Sequence, residues 1–169
     1  TNNEFNLLVL LEISTGLRRG EILGLKPDDL YFDGQYYCVN VRRSISPTSD
    51  DTHLKTKGSR RSVSVNKEVW DLVKNIPVKE NGYIFDWYSF KLSDKLKRLL
   101  NKIGISPTTF HGLRDTHASF LFANNLPLTY VSKRLGHDSI LTTEKYYLEL
   151  MPEKKHQQDA DALKLLANL

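Results

Sequence analysis

Apolar side chains recur at helical spacing in one segment after another, and most of these segments stop at a glycine or a proline. The chain is therefore cut into many short helices. Phe5, Leu7 to Leu11 and Ile13 predict a buried helix over 3–15 that ends at Gly16. A second helical stretch from Arg18 to Leu25 is broken by Lys-Pro-Asp. Asn66 can cap a helix carrying Val69, Leu72, Val73 and Ile76, which stops at Pro77. A helix over 89–103 should turn Phe90, Leu96, Leu99, Leu100 and Ile103 inward and end at Gly104. Further helices are expected over 109–123, 127–135, 142–149 and 153–167. Two stretches read differently. Residues 36–45 alternate, with Tyr37, Val39 and Val41 on one face of a strand. Lys55 to Val65 reads as a hairpin turning near Gly58 and Ser59, with Val63 and Val65 inward. Ser46 to Asp51 is a polar loop. The expected class is mainly α with a small antiparallel β-sheet (α+β).

The 169 residues suit one domain with a real core, and 40% are hydrophobic. No apolar run approaches the ~20 residues that span a bilayer. The sequence opens on TNNEFNLLVLL, with neither an initiator Met nor a basic leader, and its one Met is Met151. It reads as the C-terminal part of a longer protein. A lone cysteine, Cys38, excludes an internal disulfide and a cysteine zinc site, and fits a reducing cytoplasm. The net charge of +4 permits nucleic-acid binding without demanding it. Basic residues gather at Arg18-Arg19, Arg42-Arg43, Lys55 to Arg61, and Lys95 to Arg98.

Four short segments carry candidate chemistry. In TGLRRGE (15–21), Arg18 opens a helix beside free backbone N–H groups, and Glu21 lies one turn on, able to orient it. Alone, such a pair is a common solvated surface feature. In FHGLRDTHASF (110–120), a spacing of three puts His111 and Arg114 on one helical face, with Phe110, Leu113 and Phe120 as apolar anchors. In LGH (135–137), Gly136 caps the preceding helix and His137 follows at the turn. In TTEKYY (142–147), Thr142 or Thr143 caps a short helix bearing Tyr146, nine residues after His137. Tyr147 points about 100° away from Tyr146, so one of the two can face a site.

Taken in order, Arg…His-x-x-Arg…Leu-Gly-His…Tyr resembles the tyrosine recombinase (phage integrase) family, from residue 5 to about 150. The resemblance implies the tyrosine recombinase catalytic-domain fold. It implies that Arg18, His111, Arg114 and His137 bind the scissile phosphate and that Tyr146 is the nucleophile. The hairpin KTKGSRRSVSV resembles the one that carries the family's catalytic lysine. Lys55 is favoured there, and Lys57 is the alternative. Glu21 and Asp115 are supporting residues. Asp115 stands where many relatives have His, which puts the details around Arg114 in doubt. His117 lies outside the pattern, as a core or supporting residue.

The chemistry agrees with these residue types. Two guanidinium forks can stabilise the charge that builds on an attacked phosphodiester. A phenol titrates near ~10, and nearby guanidinium charge lowers that value. The leaving 5′-oxygen needs a proton, which the hairpin lysine can donate. No metal and no other cofactor is expected, since arginines supply the charge clamp. A 3′-phosphotyrosine conserves the bond energy, so no ATP is needed and no P-loop is present. The expected activity is site-specific recombination that integrates or excises a phage or mobile element. The alternatives are a type IB topoisomerase, a chromosome-dimer resolvase, and a DNA-binding module without catalysis. Implied partners are double-stranded DNA attachment sites, a homotetramer on DNA, and accessory DNA-bending or directionality proteins, with no membrane. The expected location is the bacterial cytoplasm, on the nucleoid. Residues 1–152 would form the catalytic domain. Residues 153–169 would be a tail helix docking in trans, with an N-terminal core-binding domain outside this sequence.

Overall fold

The computed structural model describes residues 4–46, 59–85, 91–150 and 152–167, with backbone alone at 146, 148, 150 and 152–157. Helix α1 (Glu4–Thr15) leads into the short α2 (Arg19–Leu23) and a 3-10 turn at Pro27–Asp29. Strands β1 (Leu30–Phe32), β2 (Tyr37–Val41) and β3 (Arg61–Ser64) follow, and then α3 (Lys67–Lys74) and α4 (Leu92–Lys102). The chain continues through α5 (Phe110–Ala123), α6 (Leu128–Leu135), α7 (Ile140–Leu150) and α8 (Pro152–Leu166).

The mainly helical class is observed. The sheet is antiparallel in the order β1-β2-β3, with Val39 opposite Leu30 on one side and Val63 on the other. Val39, Val41 and Val63 are buried, so the alternation has the expected phase. β1 was not expected; three residues are too few to show a period. The Lys55 arm of the expected hairpin, the Ser46–Asp51 loop beyond Ser46, and Phe90 lie outside the described residues.

Helix α1 packs against α5 and α3, and its buried face joins the apolar side chains of the sheet, α3 and α4 in the main core. The helix stops at Gly16, whose φ of +69° costs a side-chain-bearing residue about 1–2 kcal/mol. A second, smaller cluster of Ala118, Phe122, Val131 and Leu135 holds α5 to α6, with Tyr147 of α7 against it.

Four local expectations are corrected. Phe120 is 67% exposed, because the buried face of α5 runs through Phe110, Leu113, Arg114, His117, Ala118 and Phe122 and leaves it outside. Ile103 is 55% exposed, since it caps α4 rather than continuing its periodic face. Asn66 occupies the N-cap position of α3 but makes no side-chain cap bond. Helix α7 starts before the threonines, and Ser139 Oγ accepts from Leu141 N–H at 3.2 Å, so Thr143 is an interior residue of the helix.

Candidate active site

The described motif segments are drawn together by buried arginines. Arg114 projects from α5, which Thr109 caps by accepting from the Gly112 N–H at 3.0 Å. Its guanidinium donates to the Gly16 carbonyl at 2.5 Å and to the Leu135 carbonyl at 2.7 Å. Gly16 is two residues before Arg18, and Leu135 two before His137. One fork therefore ties the TGLR and LGH segments to HxxR. The residue is fully enclosed.

Arg18 is held differently. Its backbone N–H donates to Glu21 Oε2 at 2.8 Å and its guanidinium to Oε1 at 3.0 Å, which confirms the expected pairing. The Arg18 side chain remains 43% exposed while Glu21 is buried. Burial alone would raise the Glu21 carboxyl. The Arg61 guanidinium, and then Arg18, more than offset this and hold it below its ordinary value.

His137 follows Gly136, whose left-handed conformation (φ +70°) ends α6. A Cβ at Gly136 would lie 2.6 Å from Arg61 Nη1, so the turn must be bare there. His137 Nδ1 sits 2.7 Å from the hydroxyl of the buried Thr143 on α7. Its pKa is lowered to about 4 by burial first, then by the positive charges of Arg114, Arg18, Arg61 and His111. Those charges come from two of the four sequence motifs and from β3. Arg114, Asp115 and His137 line one small cleft with Ala118 and Leu135.

His111 is 61% exposed at the start of α5, with Nε2 3.7 Å from Asp115. Tyr146 lies on α7, three positions after Thr143, with its backbone alone described. Lys55 and Lys57 lie outside the described residues.

Sequence reasoning missed three charged residues. Arg61 on β3 forms a bidentate pair with Glu21 at 3.0 and 2.9 Å. Its signal was period two: Val63 and Val65 face inward, so Arg61 does too. Arg134 donates to His117 Nε2 at 3.0 Å and to the Ser14 and Ser64 carbonyls at 3.1 and 2.9 Å. His117 Nδ1 is 2.8 Å from the Ile13 carbonyl. A carbonyl only accepts and a guanidinium only donates, so the ring is the neutral Nδ1–H tautomer. Burial lowers its pKa to about 4. Glu12, on the buried stripe with Leu8, Leu11 and Thr15, is pushed up to about 9 by burial, against Arg19 and Arg114. The basic pair Arg42-Arg43 is tied to the buried Asp29 at 3.4 and 2.8 Å.

Among the described residues, no three His, Cys, Asp or Glu side chains are placed to hold a metal ion. No described helix is long and apolar enough to cross a membrane.

A family model for the phage integrase family matches residues 3–153. A XerC-like tyrosine recombinase of Caldanaerobacter subterraneus is 28% identical over 88% of this chain and 46% of its own length. The ICEBs1 integrase of Bacillus subtilis is 28% identical, covering 94% of this chain and 48% of its own. The chain thus spans about half the length of the curated relatives it matches. Among solved structures, the Tn1549 transposon integrase bound to circular intermediate DNA superposes with a TM-score of 0.68 at 21% identity. That match covers 85% of this chain and 55% of the other. The catalytic domain of bacteriophage HP1 integrase gives 0.61 at 23%, covering 96% and 83%. The fold is the one those catalytic domains share.

Proposed function

The chain belongs to the phage integrase family, and on that premise we propose that it is the catalytic domain of a site-specific DNA recombinase. It cleaves and rejoins DNA through a 3′-phosphotyrosine and serves a phage or other mobile element. The observation that carries this reading is the Arg114 fork. It binds the backbones of the Arg18 and His137 segments at once and so gathers three of the motifs around one seat.

A phosphodiester in that seat would meet Arg18 and Arg114 as the clamp for transition-state charge. His111 and His137 would add hydrogen bonds. His137 is neutral at pH 7, so it can accept the proton that Tyr146 loses or donate to a phosphate oxygen. Tyr146 attacks phosphorus and the 5′-oxygen leaves with a proton from Lys55, or from Lys57 in its place. Glu21 and Asp115 act through Arg18 and His111, to which they are bound. A free 5′-hydroxyl from another duplex reverses the step. The substrate would be a double-stranded attachment site, and the working form a tetramer on DNA with accessory bending or directionality proteins, in the cytoplasm on the nucleoid.

Residues 153–169 would dock on a neighbouring protomer. Leu163, Leu165 and Leu166 of α8 are all exposed, and a short helix with unburied leucines gains from a groove.

The test is incubation of the full-length protein with a nicked attachment-site duplex. Cleavage upstream of the nick frees a short fragment that carries the 5′-hydroxyl, and its loss by diffusion traps the adduct. A covalent protein–DNA species formed without ATP or metal is expected. Its absence, with DNA binding intact, would leave a binding module.

A further inference from the structure

Arg61 lies in the KTKGSRRSVSV stretch but is not one of the residues assigned to the chemistry there, and it touches the supports of two other segments. It leaves β3, four residues after Lys57. Its two terminal nitrogens grip both oxygens of Glu21, at 3.0 and 2.9 Å. The same Glu21 oxygens hold the Arg18 backbone and guanidinium. Its Nε donates to the Arg134 carbonyl at 2.7 Å, at the end of α6, and its Nη1 to the Ser59 carbonyl at 3.1 Å. Nη1 also fills the space where a Cβ at Gly136 would stand, directly before His137. The side chain is nearly buried, at 7% exposure.

We propose that Arg61 is a positioning residue for strand cleavage: it sets the direction of Arg18 through Glu21 and the placement of His137 through the turn it supports. The inference rests on the recombinase reading above. A carboxylate shared by two guanidinium groups has its own orientation fixed by the buried one. The half-exposed Arg18 is then held by an acid that cannot rotate. Without Arg61, Glu21 would be free to turn wholly toward Arg18 and draw it away from the seat. The Arg134 carbonyl would lose a donor, and the Gly136 turn would lose the surface it rests on.

The effect has a pH signature. The titratable and charged groups facing Glu21 are Arg61 from β3, Arg18 from its own helix start and Glu12 from α1, which burial holds protonated at neutral pH. With Arg61 gone, the strongest partner that lowers the Glu21 carboxyl is lost and Arg18 alone opposes burial, so the carboxyl lies higher than in the wild type. It would then take up its proton, and release Arg18, at a higher pH than the wild type does.

The test uses the full-length protein on the nicked duplex under single-turnover conditions, with Arg61→Met and Arg61→Lys beside the wild type. Arg61→Met should slow adduct formation about 100-fold, the cost of a small misplacement at a reacting centre. DNA affinity should stay within about threefold, because many phosphate contacts remain. As pH drops, its rate should begin to fall at a higher pH than that of the wild type. Arg61→Lys keeps the charge against Glu21 and so guards against loss of the fold. One ammonium cannot span both Glu21 oxygens and the Arg134 carbonyl, so its rate should lie between the other two. Wild-type rate and pH profile in Arg61→Lys, or loss of binding in step with cleavage in Arg61→Met, overturns the proposal. If the wild type itself forms no adduct, the recombinase reading fails first and the proposal with it.

Discussion

Behind the candidate phosphate seat, guanidinium groups are bolted to backbone. Arg114 holds the Gly16 and Leu135 carbonyls, Arg61 the Arg134 carbonyl, and Arg134 those of Ser14 and Ser64. Helix α7 packs on α6 and α5, and α8 packs on α7. The described ties are His137 to Thr143, an edge-on contact of Tyr147 with Phe122 at 5.0 Å between ring centres, and Gln158 to the Tyr147 hydroxyl at 3.1 Å. The leucines of α8 face solvent. The contrast is between a seat whose arginines are bonded to backbone and the helix that bears the candidate nucleophile, whose described ties run through side chains. In the proposed reading, such a helix can be placed by assembly on DNA.

The arginines break or sharpen that contrast most strongly. Arg18→Ala and Arg114→Ala should each slow cleavage by roughly 10²–10³ or more, measured as single-turnover adduct formation. They should differ in stability. Arg114→Ala strands two buried carbonyls and should cost on the order of 3 kcal/mol in denaturant unfolding. Arg18→Ala removes a half-exposed side chain and should leave the unfolding midpoint nearly unchanged. Equal destabilisation by both would erase the distinction between a bolted seat and its rim.

Acid should loosen the seat next. His117 and His137 both titrate at about 4 in the fold, below the ordinary 6.5 of the unfolded chain. Between those values the unfolded state binds more protons, so stability is full above about pH 6.5 and falls as pH drops toward 4. His117, which is buried, should contribute on the order of 2 kcal/mol to that loss, and the half-buried His137 less, because solvent screens it. His117→Asn should flatten the pH dependence of the unfolding free energy. An unchanged slope would mean that His117 is not held neutral by its bond from Arg134.

The smallest effect on cleavage belongs to α8. Truncation after Pro152 should lower tetramer formation on paired sites and recombination with it, while single-site cleavage stays intact or rises. Gel filtration of the protein–DNA complex and a two-site recombination assay measure both. Normal assembly by the truncated protein would make α8 a plain tail.

The same contrast explains what the sequence made legible. Periodicity located the longer helices, because most of them bury one apolar face and several end at or near a Gly or Pro. Motif order named Arg18, His111, Arg114, His137 and Tyr146, and the structure brings the first four to one end of the fold. The bolts were hidden. Arg61, Arg134 and Glu12 look like surface charges in one dimension, and only tertiary packing puts a carboxylate or a carbonyl against them. Thr143 was read as a cap because a threonine before a short helix usually is one, whereas here it sits inside α7 and faces His137. Phe120 and Ile103 erred in the other direction, as apolar residues just off the buried face or past the helix end.

The central claim is that Tyr146, on α7, becomes covalently joined to DNA. The most direct measurement is mass spectrometry of the peptide left on the DNA after the trapped adduct is digested with protease. The account predicts a 3′-phosphate linked to Tyr146, with no adduct in Tyr146→Phe and a full yield in Tyr147→Phe. An adduct on Tyr147, or one that persists in Tyr146→Phe, would contradict it.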